Sequence, residues 1–115
     1  MVQPIKEEQL IKKHVPNSFI ETGLMEYLQH EQITHLVICG MMTHMCIDAK
    51  TRAVKGFGYE CTVIADACAT VDLHFHGHSV PAEHVHHAFL SALDSTYASV
   101  LSCEEYLAMI DCSGL

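Results

Sequence analysis

The segment Ile38-Cys39-Gly40-Met41-Met42-Thr43-His44-Met45-Cys46-Ile47-Asp48 carries the most legible chemistry in this chain. An apolar run ends at Gly40, the backbone turns, and Cys46 arrives in the first turn of what the pattern predicts as a helix. Free backbone N–H groups and the positive end of a helix dipole favour a thiolate at such a place. The same N–H groups suit the oxyanion that forms when a thiolate attacks a carbonyl carbon. Lys13, at the carboxyl end of an expected strand, supplies a cation that deepens the effect. A small side chain packing helix against sheet suits the position of Cys46 equally, so spacing alone leaves both roles open.

A second cluster is Leu73-His74-Phe75-His76-Gly77-His78 with His84, His86 and His87. Alternate residues of an extended segment share a face, and His84 and His87 share a helical face, so imidazoles can converge on a metal. The spacing is that of a run in a loop, and adventitious nickel or zinc binding fits it better than a physiological site; no metal is expected. His44, next to the elbow, and Phe75 are candidate pocket residues.

The elements that must position these residues follow from patterning. Glu8–His14 reads as a short strand ended by Pro16 and Asn17, and Thr22 as the cap of a helix to His30 with Leu24, Tyr27 and Leu28 inward. Ile33–Cys39 and Cys61–Ala65 read as strands buried on both faces. Thr43 is expected to cap a helix from His44 to Lys55, closed by Gly56 and Gly58, and 67–79 to form a long loop. Pro81 opens a helix with Val85, Ala88, Phe89, Ala92 and Leu93 on its apolar face. A strand over Ala98–Leu101 and a helix capped by the Ser102/Glu105 box, with Leu107 and Ile110 inward, complete the chain. Strands alternating with helices imply parallel strands and right-handed crossovers, hence an α/β fold, a Rossmann-like three-layer α/β/α sandwich. Ligands of such folds bind outside the carboxyl ends of the strands, where Lys13, Cys46 and Asp66 fall.

Composition narrows the partners. Six Lys plus Arg against 14 Asp plus Glu give a net charge of −8 over 115 residues, which disfavours nucleic acid. No apolar stretch is long enough for a membrane span, and Met1 to Glu8 show no secretory signal, so the cytoplasm is the expected compartment. Six cysteines without a C-x-x-C pair read as reduced thiols, with Cys39 and Cys61 buried.

Lys13-His14-Val15-Pro16-Asn17-Ser18-Phe19, Thr22-Gly23-Leu24, the Gly40 to Cys46 elbow, Gly58-Tyr59, Val63 to Ala67 and Pro81-Ala82-Glu83 with His86 and Ala88 together resemble the isochorismatase-like cysteine hydrolases. The resemblance implies that Cys46 is the nucleophile and Lys13 the catalytic lysine, with Phe19 beside the pocket. It also implies a cis peptide between Met41 and Met42, with the Met42 and Cys46 N–H groups facing the oxyanion. It implies hydrolysis of a C–N bond in a small amide-type substrate without a cofactor, by a homo-oligomer. The family's third catalytic group, an aspartate ending a first strand of the type Leu-Ile-Val-Asp-Met-Gln, has no match: Asp48, Asp66 and Asp72 stand elsewhere. The chain is therefore expected to correspond to the C-terminal two-thirds of the usual domain, lacking its N-terminal strands. The alternative is an inactive truncated relative that oligomerises or binds a partner, or an incomplete gene model.

Overall fold

The computed structural model describes residues 3–112. Three parallel strands form the central sheet in the order β1 (His35–Met41), β2 (Glu60–Ala69), β5 (Ser99–Leu101). Helix α1 (Leu24–His30) precedes β1, α2 (Asp48–Gly56) joins β1 to β2, α3 (Ala82–Leu93) joins β2 to β5, and α4 (Cys103–Cys112) follows. Helices α2 and α3 pack on each other, as right-handed crossovers to successively adjacent strands require, and α4 packs on β2 and β5. The α/β class and the parallel sheet are as the element order implied.

β2 carries the core. Its run Cys61-Thr62-Val63-Ile64 is buried throughout, because strands lie on both sides of it and β-branched side chains fill the spaces beneath the helices. Ile38, Ile47, Val54, Cys61, Val63 and Leu90 form one cluster that joins β1, the elbow, α2, β2 and α3. The Ser102/Glu105 box forms: Ser102 N donates to Glu105 Oε1 at 2.8 Å, and Glu105 N to Ser102 Oγ at 3.0 Å.

Several expectations are corrected. Residues 8–14 are not a strand, because a strand needs a ladder partner and none lies beside them among the described residues. β1 is an edge strand and not one buried on both faces: Val37 is 43% exposed and Cys39 is exposed, while only Ile38 is buried. Gly40 does not end β1, which runs on to Met41. Residues 67–79 are not a loop; β2 continues to Ala69, and β3 (Leu73–Phe75) pairs with β4 (His78–Val80) in an antiparallel hairpin. Its two-residue turn, His76-Gly77, has φ of 48° and 81°, the left-handed geometry that two-residue hairpins favour. The inward face of α3 runs through Val85, Leu90 and Leu93, leaving Ala88 and Ala92 exposed, and Leu107 of α4 is exposed too. Thr22 does not occupy the cap position of α1, which is Gly23, although its Oγ1 accepts from Leu24 N at 3.3 Å. Cys61 is the buried thiol; the side chain of Cys112 lies outside the described part.

Burial pushes the Cys61 thiol up from 9.0 to about 11, against the opposing charge of Lys50 and a hydrogen bond with Thr51. The folded state therefore keeps a proton that the unfolded chain loses, so this stability is whole below pH 9.0 and is lost as pH rises to about 11. In urea titrations, the stability advantage of the native chain over Cys61→Ala should shrink by about 1–2 kcal/mol across that interval. An advantage that stays constant there would show that Cys61 ionises as freely folded as unfolded.

Candidate active site

The elbow is built by the end of β1. Gly40 takes φ +127°, which only glycine adopts freely, and the Met41–Met42 peptide is cis. The chain then forms one π-helical turn, Thr43–Ile47, before α2 begins. This replaces the expected Thr43-capped α-helix. The Met42 carbonyl accepts from both Met45 N (3.0 Å) and Ile47 N (3.2 Å), and no side chain caps the turn.

Thr43 has a different task. It is fully buried, and its Oγ1 lies 2.9 Å from Nδ1 of His86 on α3. Nε2 of His86 lies 3.0 Å from the Ala65 carbonyl of β2. A carbonyl can only accept, so Nε2 carries the hydrogen, and in the neutral ring Nδ1 accepts from the Thr43 hydroxyl. One imidazole thus ties α3, β2 and the elbow together. With Thr43 and Ile47 both buried, the half-buried Cys46 between them is held at the surface side of the turn.

Lys13 Nζ donates to Cys46 Sγ at 3.1 Å and to the Val15 carbonyl at 3.3 Å. The irregular segment that carries Lys13 is anchored further along. Ser18 is buried, Phe19 N donates to Asn17 Oδ1 at 3.0 Å, and the Phe19 ring meets Phe57 edge to face at 5.0 Å. Beside Lys13, along the open edge of β1, runs a cleft of about 400 Å³ lined by Lys13, Lys50, Phe19, Leu36, Val37 and Val54 among others.

Pattern reasoning overlooked Lys50, although it stands four residues after Cys46, the spacing that places side chains on one helical face. It is half-buried, and its pKa is lowered, first by burial and then by the charge of Lys13, while Cys46, Cys39 and Cys68 act in the opposite sense. Among the described residues neither Lys13 nor Lys50 forms an ion pair with a carboxylate.

The aspartates are engaged elsewhere. Asp48 holds Arg52 at 3.0 Å, Asp66 accepts from Cys103 N at 2.7 Å to cap α4, and Asp72 accepts from Ala82 N at 2.7 Å to cap α3. Of the three reactive side chains expected at the strand ends, Lys13 and Cys46 meet and Asp66 does not join them. His44 is bonded to Thr70 Oγ1 (2.7 Å) and rests on Phe89, and Phe75 is 71% exposed on the hairpin, so neither lines the cleft, whereas Phe19 does. His74 and His78 lie on opposite strands of the hairpin with His76 at its turn, so they do not share the face of one extended segment. Among the described residues no three His, Cys, Asp or Glu side chains form a metal-holding group.

The family model described as "Isochorismatase domain" matches residues 2–105. An isochorismatase family protein of Bacillus subtilis, YddQ, is 51% identical over 106 residues, which cover 92% of this chain and 59% of that protein. A streptothricin hydrolase of Streptomyces noursei is 32% identical over 72 residues, 63% of this chain and 26% of its own length. Among solved structures, a putative isochorismatase hydrolase from Oleispira antarctica matches with a TM-score of 0.88 at 52% identity, over 91% of this chain and 56% of that one. The chain thus spans a little over half the length of relatives such as YddQ.

The His86 strut is open to a direct test. Thr43→Val keeps the shape and removes the hydroxyl that Nδ1 needs, and should cost about 1–3 kcal/mol in urea unfolding. In a double-mutant cycle with His86→Ala, the two losses should overlap by at least about 0.5 kcal/mol. Strict additivity would mean that the 2.9 Å contact contributes nothing.

Proposed function

Because the chain belongs to the isochorismatase family, we propose that it is the catalytic part of a cysteine hydrolase that cleaves a C–N bond of a small amide-type substrate. The observation that carries this reading is the 3.1 Å contact between Lys13 Nζ and Cys46 Sγ, an ammonium against a thiol, with Lys13 also lining a cleft of about 400 Å³. A relative named for hydrolysing streptothricin supports the hydrolytic class.

Lys13 stabilises the thiolate by charge. The sulfur attacks the carbonyl carbon, a C–S bond forms, and the carbonyl electrons move to oxygen, where the Met42 and Cys46 N–H groups receive them. Collapse breaks the C–N bond and the nitrogen leaves with a proton. Water then attacks the thioester, releasing the acid and restoring the thiolate. Lys13 and solvent are the proton sources within reach, since no carboxylate of the described residues is paired with Lys13. The substrate is a small molecule, the chain self-associates, and the cytoplasm is the setting. No helix among the described residues is long and apolar enough to cross a membrane.

The second reading, a binding or oligomerising domain without turnover, is favoured by the engagement of Asp48, Asp66 and Asp72 outside the site. The role of acid and base that the family resemblance implies then has no holder, a loss that typically costs about 10²–10⁴ in rate.

Alkylation by iodoacetamide at pH 7, read at Cys46 by peptide mass spectrometry, tests the reading. Cys46 should react at least about tenfold faster than a neutral model thiol, and Lys13→Met should remove most of that advantage. A Cys46 no faster than the model thiol would end the hydrolase proposal. A fast Cys46 with no release of amine from any small amide would leave the second reading in its place.

A further inference from the structure

Thr43 and Cys46 belong to one π-helical turn that no side chain caps. Resting on the hydrolase reading above, we propose that His86 is a positioning residue: acting through the Thr43 hydroxyl, it holds the elbow so that the Met42 and Cys46 N–H groups meet the oxyanion formed when Cys46 attacks a carbonyl.

Three observations carry this. The first is where the turn is attached. Thr43 directly follows Met42, and the Met42 carbonyl accepts from Met45 N at 3.0 Å and from Ile47 N at 3.2 Å, so the residues on either side of Cys46 are tied to Met42. A displacement at Thr43 therefore reaches both N–H groups together. The second is the fixity of the bond. Thr43 is fully buried, so its hydroxyl has no solvent to turn to. In the neutral ring, donation from Nε2 to the Ala65 carbonyl leaves Nδ1 as the acceptor for that hydroxyl at 2.9 Å. His86 itself stands on α3, which is seated in the core by Val85 and Leu90, so the brace ends on a rigid element. The third is what the other anchors of the turn lack. Ile47 is buried, but apolar packing has no direction. His44 is bonded to Thr70 Oγ1 at 2.7 Å, and Thr70 lies beyond the last residue of β2. The Thr43–His86 bond is both directional and anchored in the core. A misplacement of about 1 Å can cost on the order of 10² in rate, and a brace beside the donors is where such an error is prevented.

p-Nitrophenyl acetate and iodoacetamide separate donor placement from thiolate supply. In acylation the Cys46 sulfur attacks the ester carbonyl, a C–S bond forms, the carbonyl electrons pass to oxygen and return, and the C–O bond breaks. The p-nitrophenolate leaves without needing a proton, so the probe suits a site with no paired carboxylate. Alkylation by iodoacetamide forms the C–S bond at a saturated carbon, displaces iodide and makes no oxyanion. Initial rates of both at Cys46 are followed at pH 7 by peptide mass spectrometry, as acetyl and carbamidomethyl adducts. In Thr43→Val the acylation-to-alkylation ratio should fall at least about tenfold, whereas Thr43→Ser, which keeps the hydroxyl, should hold it within about threefold of the native value. His86→Gln, whose amide stands in for Nε2 but offers no acceptor at the place of Nδ1, should behave as Thr43→Val does. A purely structural role would leave the ratio of a folded variant unmoved. Far-UV circular dichroism establishes that each variant is folded, and His86→Gln decides the question if Thr43→Val does not fold. An unchanged ratio in either folded variant overturns the proposal. The two readings are told apart by the native chain: a native ratio no higher than that of a neutral model thiol condemns the oxyanion arrangement of the hydrolase proposal and this one with it, whereas a high native ratio indifferent to Thr43→Val condemns only the role of His86.

Discussion

The site depends on a break in the ladder between β1 and β2. Ile38 pairs with Val63, but Gly40 pairs with Cys68, so one residue on β1 faces four on β2. Bulges of this kind turn a strand and free its backbone for other partners. The released stretch is what the elbow is fastened to. The Ala65 carbonyl, unpaired with β1, receives His86 Nε2, and the Asp66 side chain is delivered to the first turn of α4. Were the ladder regular, Ala65 would bond across to β1, His86 would lose its anchor, and Thr43 would be a buried hydroxyl without a fixed partner.

The same economy explains the electrostatics. Each aspartate near the strand ends is consumed by structure: Asp48 by the guanidinium of Arg52, which also lies 4.6 Å above the Tyr97 ring, and Asp66 and Asp72 by helix N-termini. Carboxylates at helix starts stabilise α3 and α4, and their engagement there leaves the neighbourhood of Cys46 cationic. A molecule of net charge −8 therefore presents a positive spot at its thiol, and structural capping is the reason.

Features held by local physics were legible in the sequence. The Ser102/Glu105 box, the Pro81 start of α3 and the buried run of β2 each follow from a few neighbouring residues, and each forms. Features that depend on partners distant in the chain were not. Residues 8–14 have the composition of a strand, but strand identity is a property of pairing. Val37 lies in an apolar run as continuous as that of β2, yet its burial is decided by what lies beyond β1. The β3–β4 hairpin leaves little pattern because each strand is three residues long, although His76-Gly77 is a usable turn signal. At the site, Cys46 stands out by its turn, and the strand-end pattern brings Lys13, 33 residues away, to the same end of the sheet, while it also admits Asp66, which is engaged elsewhere.

Cys46 and Lys13 are held with unequal firmness. Cys46 sits between two buried anchors in a turn braced by His86, whereas Lys13 projects from an exposed, irregular segment fixed through Ser18, Asn17 and Phe19. The contact between Lys13 Nζ and Cys46 Sγ is therefore only as firm as the anchoring of this segment at Ser18, Asn17 and Phe19. The second lysine changes the balance. Lys50 repels Lys13, which works against the docked arrangement. Segment docking and lysine–lysine repulsion are then opposing parts of one electrostatic balance, centred on a sulfur whose position the ladder break has already settled.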